Sequence, residues 1–365
     1  MLNIKPIYRA EQLPVFQNRM FDSAQAARDC TKGDVVLVQS LQTGLVFNQA
    51  FRPELMQYDH DYQNEQGHSA AFQRHLLDVQ AIVDRHLAGR SLIEVGCGKG
   101  LFLEQLAAAG YAITGLDPTY EGHNPRVIKE YFTPGTGLQA DGLILRHVLE
   151  HVPDPYEFLC GLRESNHGGG LIYIEVPCLD WIAAHGAWFD LFYEHVNYFR
   201  LADFARLFSN VLESGRVFSG QYLYVVADLA SLRPPRCGPA DEFELPAAFM
   251  GAIEASRARL EERRRAGQAA SAVWGGASKG VIFSLFMNRA AGMCNTAIDT
   301  VIDINPGKQG RYLAATGIKV SAPHDALPRL PDGADIFVMN SNYLAEIQAM
   351  TSNRFNYRLV EHAEL

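Results

Sequence analysis

Two short stretches of this chain hold residue types that could do chemistry. The first is Ser91–Gly100, SLIEVGCGKG, where a short apolar strand delivers Glu94 and then Gly96, Gly98 and Gly100 turn into the helical run FLEQLAAAG. Glycine is needed where a backbone turns sharply and where a ligand presses against the main chain. A dinucleotide fingerprint would read G-x-G-x-x-G and lay a pyrophosphate on the helix N-terminus. Here the third glycine comes one position early and the loop opens with a carboxylate. A carboxylate is poorly suited to a pyrophosphate and suits a cationic group, such as the amino group of a methionine moiety. Asp117 ends the next apolar strand, 23 residues after Glu94, where an acid can accept hydrogen bonds from a ribose diol. The second stretch is Phe192–Phe199, FYEHVNYF, in which Glu194 and His195 stand together between Tyr193 and Tyr198. An unactivated carbon becomes a nucleophile only by losing a proton next to a carbonyl, which needs a base and a group that stabilises the oxyanion.

These residues need a scaffold, and the surrounding pattern supplies one. From 71 to 230 helical and strand patterns alternate: FQRHLLDVQAIVDRHL, SLIEV, FLEQLAAAG, YAITGLD, GLILR, DPYEFLCGLRES, GGGLIYIEVP and QYLYVVADL. Strands separated by helices pair in parallel through right-handed crossovers, which predicts an α/β fold with a doubly wound, Rossmann-like sheet. Asp154 and Pro155 open one helix as N-cap and first helical residue. Residues 1–70 form a separate N-terminal module with a strand over Asp34–Gln39 and a polar, aromatic loop over Tyr58–Ser69. Residues 231–268 read as a Pro-rich linker and a long helix with a solvated arginine face. Residues 269–365 begin a second, smaller Rossmann-like unit with SAVWGGASKGVIFSLFM, TVIDINPGKQG and ADIFVMN.

Composition narrows the partners. The chain has 365 residues, 48% of them hydrophobic, enough for two or three packed domains. With 32 Lys+Arg against 41 Asp+Glu the net charge is −9, which argues against a nucleic-acid or anionic-membrane binder. Small phosphorylated substrates stay allowed, because a few local cations suffice for them. The six cysteines are scattered with no CxxC pair, so neither a disulfide framework nor a zinc ribbon is expected, and no metal site is assigned. No signal-like or membrane-spanning apolar run is seen, which reads as a cytoplasmic protein.

The loop E-x-G-x-G-x-G, the acid at Asp117 and the run DGLILRHVLEHVPDP at 141–155 together resemble class I S-adenosylmethionine-dependent methyltransferases over about 75–230. The resemblance implies that Glu94, Gly96, Gly98 and Asp117 line a pocket for S-adenosylmethionine, with Arg146 and His147 where the fourth strand opens towards the sulfonium. Glu150 and His151 are read as capping and packing residues. Adenine contacts are expected near Glu130–Phe132 without a single assigned residue. YEHVNYF, together with WGGASKG, VIDINPGKQGRYLAATGIKV and SNYL, further resembles the nucleotide-sugar C-methyltransferases, which methylate a keto-deoxysugar. That resemblance implies His195 as the base, with Glu194 and Tyr193 assisting. It also implies Tyr58, Tyr62, Asn64, Tyr198 and Lys279 as substrate-side residues, and Lys308 and Arg311 as further cations at the edge of the substrate site.

Two departures stand out. Phe192 replaces the tyrosine that the family places two residues before the glutamate. The N-terminal module keeps only Cys30, too few ligands for the family's structural zinc, and so is expected to be held by packing or a partner. The partner expected for the site is a small-molecule acceptor, such as a nucleotide sugar, in a cleft between the two α/β units. An O- or N-methyltransferase of a natural-product intermediate is the alternative reading. An NAD-dependent oxidoreductase, against the glycine spacing, and a non-catalytic binding protein, against the intact loop, rank below it.

Overall fold

The strand Ser91–Val95 is buried from Leu92 onward, and it lies inside a seven-stranded sheet, next to the central strand Gly142–Arg146. The computed structural model describes residues 3–56, 62–63, 65–265, 271–290, 298 and 300–361. Parallel partners flank Ser91–Val95: Ala112–Leu116 and then Val127–Ile128 on one side, Gly142–Arg146 and then Leu171–Pro177 on the other. Successive side chains of a strand point to opposite faces. Leu92, Ile144 and Tyr173 accordingly pack with the helices Ala70–Leu87 and Leu101–Ala108, while Ile93, Leu143, Leu145, Ile172 and Ile174 join the core on the opposite face. The chain runs outward from Ser91–Val95 in one direction, then returns to Gly142–Arg146 on its other side. That reversal is where α/β sheets open a crevice at the carboxyl ends of their strands. Glu94 and Arg146 are delivered to that end.

The sheet is mixed rather than wholly parallel. Tyr222–Asp228 runs antiparallel to Leu171–Pro177, and Val211–Val217 runs antiparallel to Tyr222–Asp228. The four residues 218–221 join the last two strands, too few for a crossover, so a hairpin is the only connection available.

The N-terminal module is a four-stranded antiparallel sheet in the order Ile4–Pro14, Lys32–Ser40, Val46–Asn48, Asn197–Tyr198. Its fourth strand comes from the segment directly after His195. A second tie joins Met20–Phe21 to Tyr312–Leu313. Leu13, Val35, Leu145, Val273 and Phe283 share one continuous apolar cluster, so this module packs against the rest of the chain.

The C-terminal unit is a five-stranded parallel sheet in the order Val320–Ser321, Val301–Ile302, Ser271–Trp274, Asp335–Val338, Asn356–Leu359. The helices Ala247–Arg265 and Ser278–Ala290 accompany it. Among the described residues, no helix is long and apolar enough to cross a membrane.

Candidate active site

A cavity of about 400 Å³ lies where the carboxyl ends of the two sheets face each other. Glu94, Gly96, Arg146 and His147 line it from the core, and Trp274, Lys279, Asp303 and Asn340 from the C-terminal unit. The segment Asp190–His195 and the start of helix Ala70–Leu87 close its sides.

Glu94 is 4% exposed, and its Oε2 has no hydrogen-bond partner. Burial raises its carboxyl to about 7 against the opposing pull of the Arg146 charge. Gly96 has φ +71, and a Cβ there would stand 2.5 Å from Cγ2 of Val148, so only glycine keeps this backbone open to the cavity. Asp117 braces the loop from behind. Its Oδ2 accepts from the Gly98 amide at 2.8 Å, and its Oδ1 accepts from the Thr119 amide and hydroxyl at 2.8 and 2.7 Å.

Arg146 and His147 converge on a residue that the sequence did not single out. Glu175, fully buried in Leu171–Pro177, accepts from Arg146 Nη2 at 3.1 Å, from the Tyr173 hydroxyl at 2.7 Å and from His75 Nε2 at 3.0 Å. His147 Nε2 lies 3.0 Å from the same carboxylate, off the hydrogen-bond direction. Burial opposes the charge on Glu175, but Arg146, His147 and His75 outweigh it and hold the carboxyl well below its ordinary value. Burial likewise disfavours a charged His147, yet Glu150 and Glu175 prevail and raise it to about 9. Its backbone sits at φ +53, a conformation that non-glycine residues rarely adopt. The one acid in the apolar run LIYIEVP was the available signal for Glu175.

The loop Leu191–Arg200 is buried throughout, so its polar groups must find partners inside the protein. The Val196 amide donates to the Glu150 carbonyl at 2.8 Å, and the Val196 carbonyl accepts from the Asn48 amide at 2.7 Å. Glu194 faces the N-terminal module: Oε1 accepts from the Gln17 amide and Oε2 from the Tyr62 hydroxyl, both at 2.6 Å. Burial raises its carboxyl. The His195 ring faces the cavity, 4.1 Å between centroids from Phe192 and 4.9 Å from His151, and its buried Nδ1 has no partner. Burial, then the nearby charges of His151, His147 and Lys279, push its pKa well below the ordinary value, so the ring is neutral at pH 7.

Two expected residues turn away. Tyr193, expected to assist the base, stacks on Phe51, and its hydroxyl accepts from the Arg52 amide at 2.8 Å, outside the cavity. Tyr198, expected beside the substrate, donates to the Phe192 carbonyl at 2.9 Å and accepts from the Phe192 amide at 3.0 Å, which makes it a strut for the loop. Tyr62 lines the cavity, whereas Tyr58 and Asn64 lie outside the described residues. Lys279 lines it too, with Nζ 2.9 Å from Asp190 Oδ2 and 3.0 Å from Gln221 Oε1. Lys308 is buried 3.3 Å from Asp303 Oδ2. Arg311 leaves the cavity to join the N-terminal module, donating to the Met20 carbonyl at 3.1 Å and pairing with Asp22 at 3.2 Å. Glu150 and His151, expected to cap and pack, both line the cavity. Asp190, Tyr222 and Asn340 also line it, and their sequence surroundings carry no distinguishing pattern.

Comparison with known proteins matches two families. One described as a methyltransferase domain covers residues 62–211, and one described as a C-methyltransferase C-terminal domain covers residues 242–356. The chain belongs to the S-adenosylmethionine-dependent methyltransferases. The methyltransferase is 25% identical over 292 residues to C-methyltransferase NovU of Streptomyces niveus, covering 71% of this chain and 68% of that protein. It is 28% identical over 102 residues to a ubiquinone biosynthesis O-methyltransferase of Caulobacter vibrioides, covering 24% of this chain and 40% of the relative. Among solved structures it is similar to the 1,6-didemethyltoxoflavin-N1-methyltransferase of Burkholderia thailandensis, with 18% identity, a TM-score of 0.34, and coverage of 44% of this chain and 78% of that one.

Proposed function

We propose that the methyltransferase methylates carbon in an enolisable small molecule, such as a nucleotide-linked keto-deoxysugar. The observation that carries this reading is His195, whose neutral ring faces a cavity shared by the glycine loop and the C-terminal unit. The similarity to NovU and the C-terminal domain named for C-methyltransferases support it.

The glycine loop fits S-adenosylmethionine. Glu94 has an unpartnered buried oxygen for the ammonium group, Gly96 and Gly98 leave the backbone bare, and Asp117, outside the cavity lining, braces the loop through the Gly98 amide. When bound, the cofactor supplies an electrophilic methyl group. His195 takes the proton from the carbon next to the ketone, and Phe192 and the buried loop keep water from the ring. Lys279, oriented by Asp190 and Gln221, presents a positive charge to the developing oxyanion. Glu194, tied to Tyr62 and to the Gln17 amide, fixes the loop that carries the base. The described cysteines are unpaired, which fits a reducing cytoplasm.

O- or N-methylation of a natural-product intermediate is the second reading, suggested by the O-methyltransferase relatives. Solvent exchange separates the two. A keto-deoxysugar nucleotide held with S-adenosylhomocysteine in D₂O should exchange the proton next to its ketone without methyl transfer. His195→Gln should slow that exchange by about 10²–10⁴-fold, the range of general base catalysis. A wild-type enzyme that exchanges nothing, or a variant that exchanges at the wild-type rate, refutes C-methylation through His195.

A further inference from the structure

Among the described residues, Glu150, His151 and His195 each bring one ligand atom to a common point, and these atoms all lie within 4.8 Å of one another. The three residues line the cavity. Glu150 is 1% exposed, yet neither of its carboxylate oxygens has a hydrogen-bond partner. Leaving such a group unsatisfied costs about 1–3 kcal/mol or more. Its ion pair is with His147, whose Nδ1 lies 3.4 Å from Oε1, outside hydrogen-bond geometry.

The two histidines are prepared for the same task. His151 Nδ1 lies 2.9 Å from the Glu194 carbonyl, which can only accept, so in the neutral ring the proton sits on Nδ1 and the lone pair on Nε2. A backbone carbonyl behind a ring nitrogen is the usual arrangement for a metal-binding histidine. In the His195 ring, which lines the cavity, the buried Nδ1 has no hydrogen-bond partner. The two chain segments that carry the trio are tied in both directions, by Val196 N–H to the Glu150 carbonyl at 2.8 Å and by His151 to the Glu194 carbonyl.

We propose that Glu150, His151 and His195 form a binding site for a divalent ion of the Zn²⁺ class, and that an ion bound there silences the enzyme by occupying the lone pair of His195. The silencing rests on His195 being the base; the binding does not. Two imidazoles and a carboxylate with one position open to the cavity are a donor set for Zn²⁺ or Co²⁺. Mg²⁺ and Ca²⁺ prefer all-oxygen shells and are excluded. Ligand atoms around a tetrahedral ion with bonds near 2.1 Å stand about 3.4 Å apart, so the trio, now within 4.8 Å, closes by up to about 1.4 Å through side-chain torsions. Water leaves the ion, no electrons move, and Glu150 exchanges its ion pair with His147 for the metal.

The test uses the full chain after chelator treatment. Equilibrium dialysis against Co²⁺ or Zn²⁺ should give one tightly held ion per chain, with the intense visible absorption of low-coordinate Co²⁺, and Mg²⁺ should not compete. Glu150→Gln and His151→Asn should each weaken binding by about 100-fold or more, beyond the usual cost of losing an outer-shell partner. Calorimetric binding of S-adenosylhomocysteine to each variant checks that the pocket is folded. Zn²⁺ should abolish solvent deuterium exchange in the wild type, and a chelator should restore it. Failure to hold either ion, or undiminished binding by a folded Glu150→Gln variant, overturns the site. Unslowed exchange with one Zn²⁺ bound overturns the silencing. Absence of exchange in the metal-free enzyme refutes the base assignment and leaves the dialysis result standing.

Discussion

Replacing Glu94 with Gln should make the protein more stable and a poorer binder at once, and both effects follow from one buried carboxyl. Burial lifts Glu94 from 4.5 to about 7 in the folded chain, with Arg146 pulling the other way. The folded state therefore holds this proton more tightly than the unfolded state. The cost of ionising it is absent below pH 4.5, grows from there, and is complete above about pH 7. At 1.36 kcal/mol per pH unit, the rise from 4.5 to about 7 amounts to about 3 kcal/mol. Glu94→Gln removes that cost, so the ligand-free variant should exceed the wild type by up to about 3 kcal/mol at pH 8 and match it near pH 4. Binding runs in the opposite sense. An ammonium ligand needs the ionised carboxylate, about one-tenth populated at pH 6 and nine-tenths at pH 8 for a group titrating near 7. The wild-type affinity for S-adenosylhomocysteine should accordingly rise by about tenfold across that interval. At pH 8 the variant should bind about 10- to 150-fold more weakly, the worth of a charge-assisted hydrogen bond of about 1.5–3 kcal/mol, and its pH slope should vanish. Isothermal titration at pH 6, 7 and 8 with parallel urea unfolding reads both quantities. A flat wild-type affinity, or a Gln variant less stable than the wild type at pH 8, refutes the assignment of Glu94 to the ammonium.

Two further substitutions probe the frame around that carboxyl. Gly96→Ala forces a side chain into φ +71 and onto Val148, and should cost about 1–3 kcal/mol in a urea melt and abolish S-adenosylhomocysteine binding in the same titration. Glu175→Gln leaves Arg146 buried without its counter-charge and deprives His147 and His75 of theirs. It should lower unfolding free energy by about 3–5 kcal/mol at pH 7, read by chemical denaturation.

The parts of the site that were legible are those in which neighbours in sequence do one local job. The glycine spacing, Glu94 and Asp117 belong to a single strand–turn–helix unit and the strand beside it. Asp154 caps its helix by accepting from the Glu157 amide at 3.0 Å, again a matter of adjacent residues. Glu175 was not legible in the same way, because its partners His75 and Arg146 lie 100 and 29 residues away. The tyrosines misled for a geometric reason. Tyr193 and Glu194 share a turn but point to different partners, Tyr193 to Phe51 and the Arg52 amide and Glu194 to Gln17 and Tyr62, so adjacency to the acid does not bring Tyr193 to the cavity. The antiparallel edge was hidden because Val211–Val217 is half exposed and interrupted by Glu213, Ser214 and Arg216, which weakens its apolar signal.

The two-residue strand Asn197–Tyr198, which completes the N-terminal sheet, bears on how this enzyme could be recombined with its relatives. It begins two residues after His195, and Gln17 and Tyr62 grip the adjacent Glu194 from the same module. A chimera that exchanges the first 56 residues alone would change the surface on which the base-bearing loop is laid. A graft that keeps the packing of this loop must therefore carry the N-terminal sheet and the 190–200 loop together.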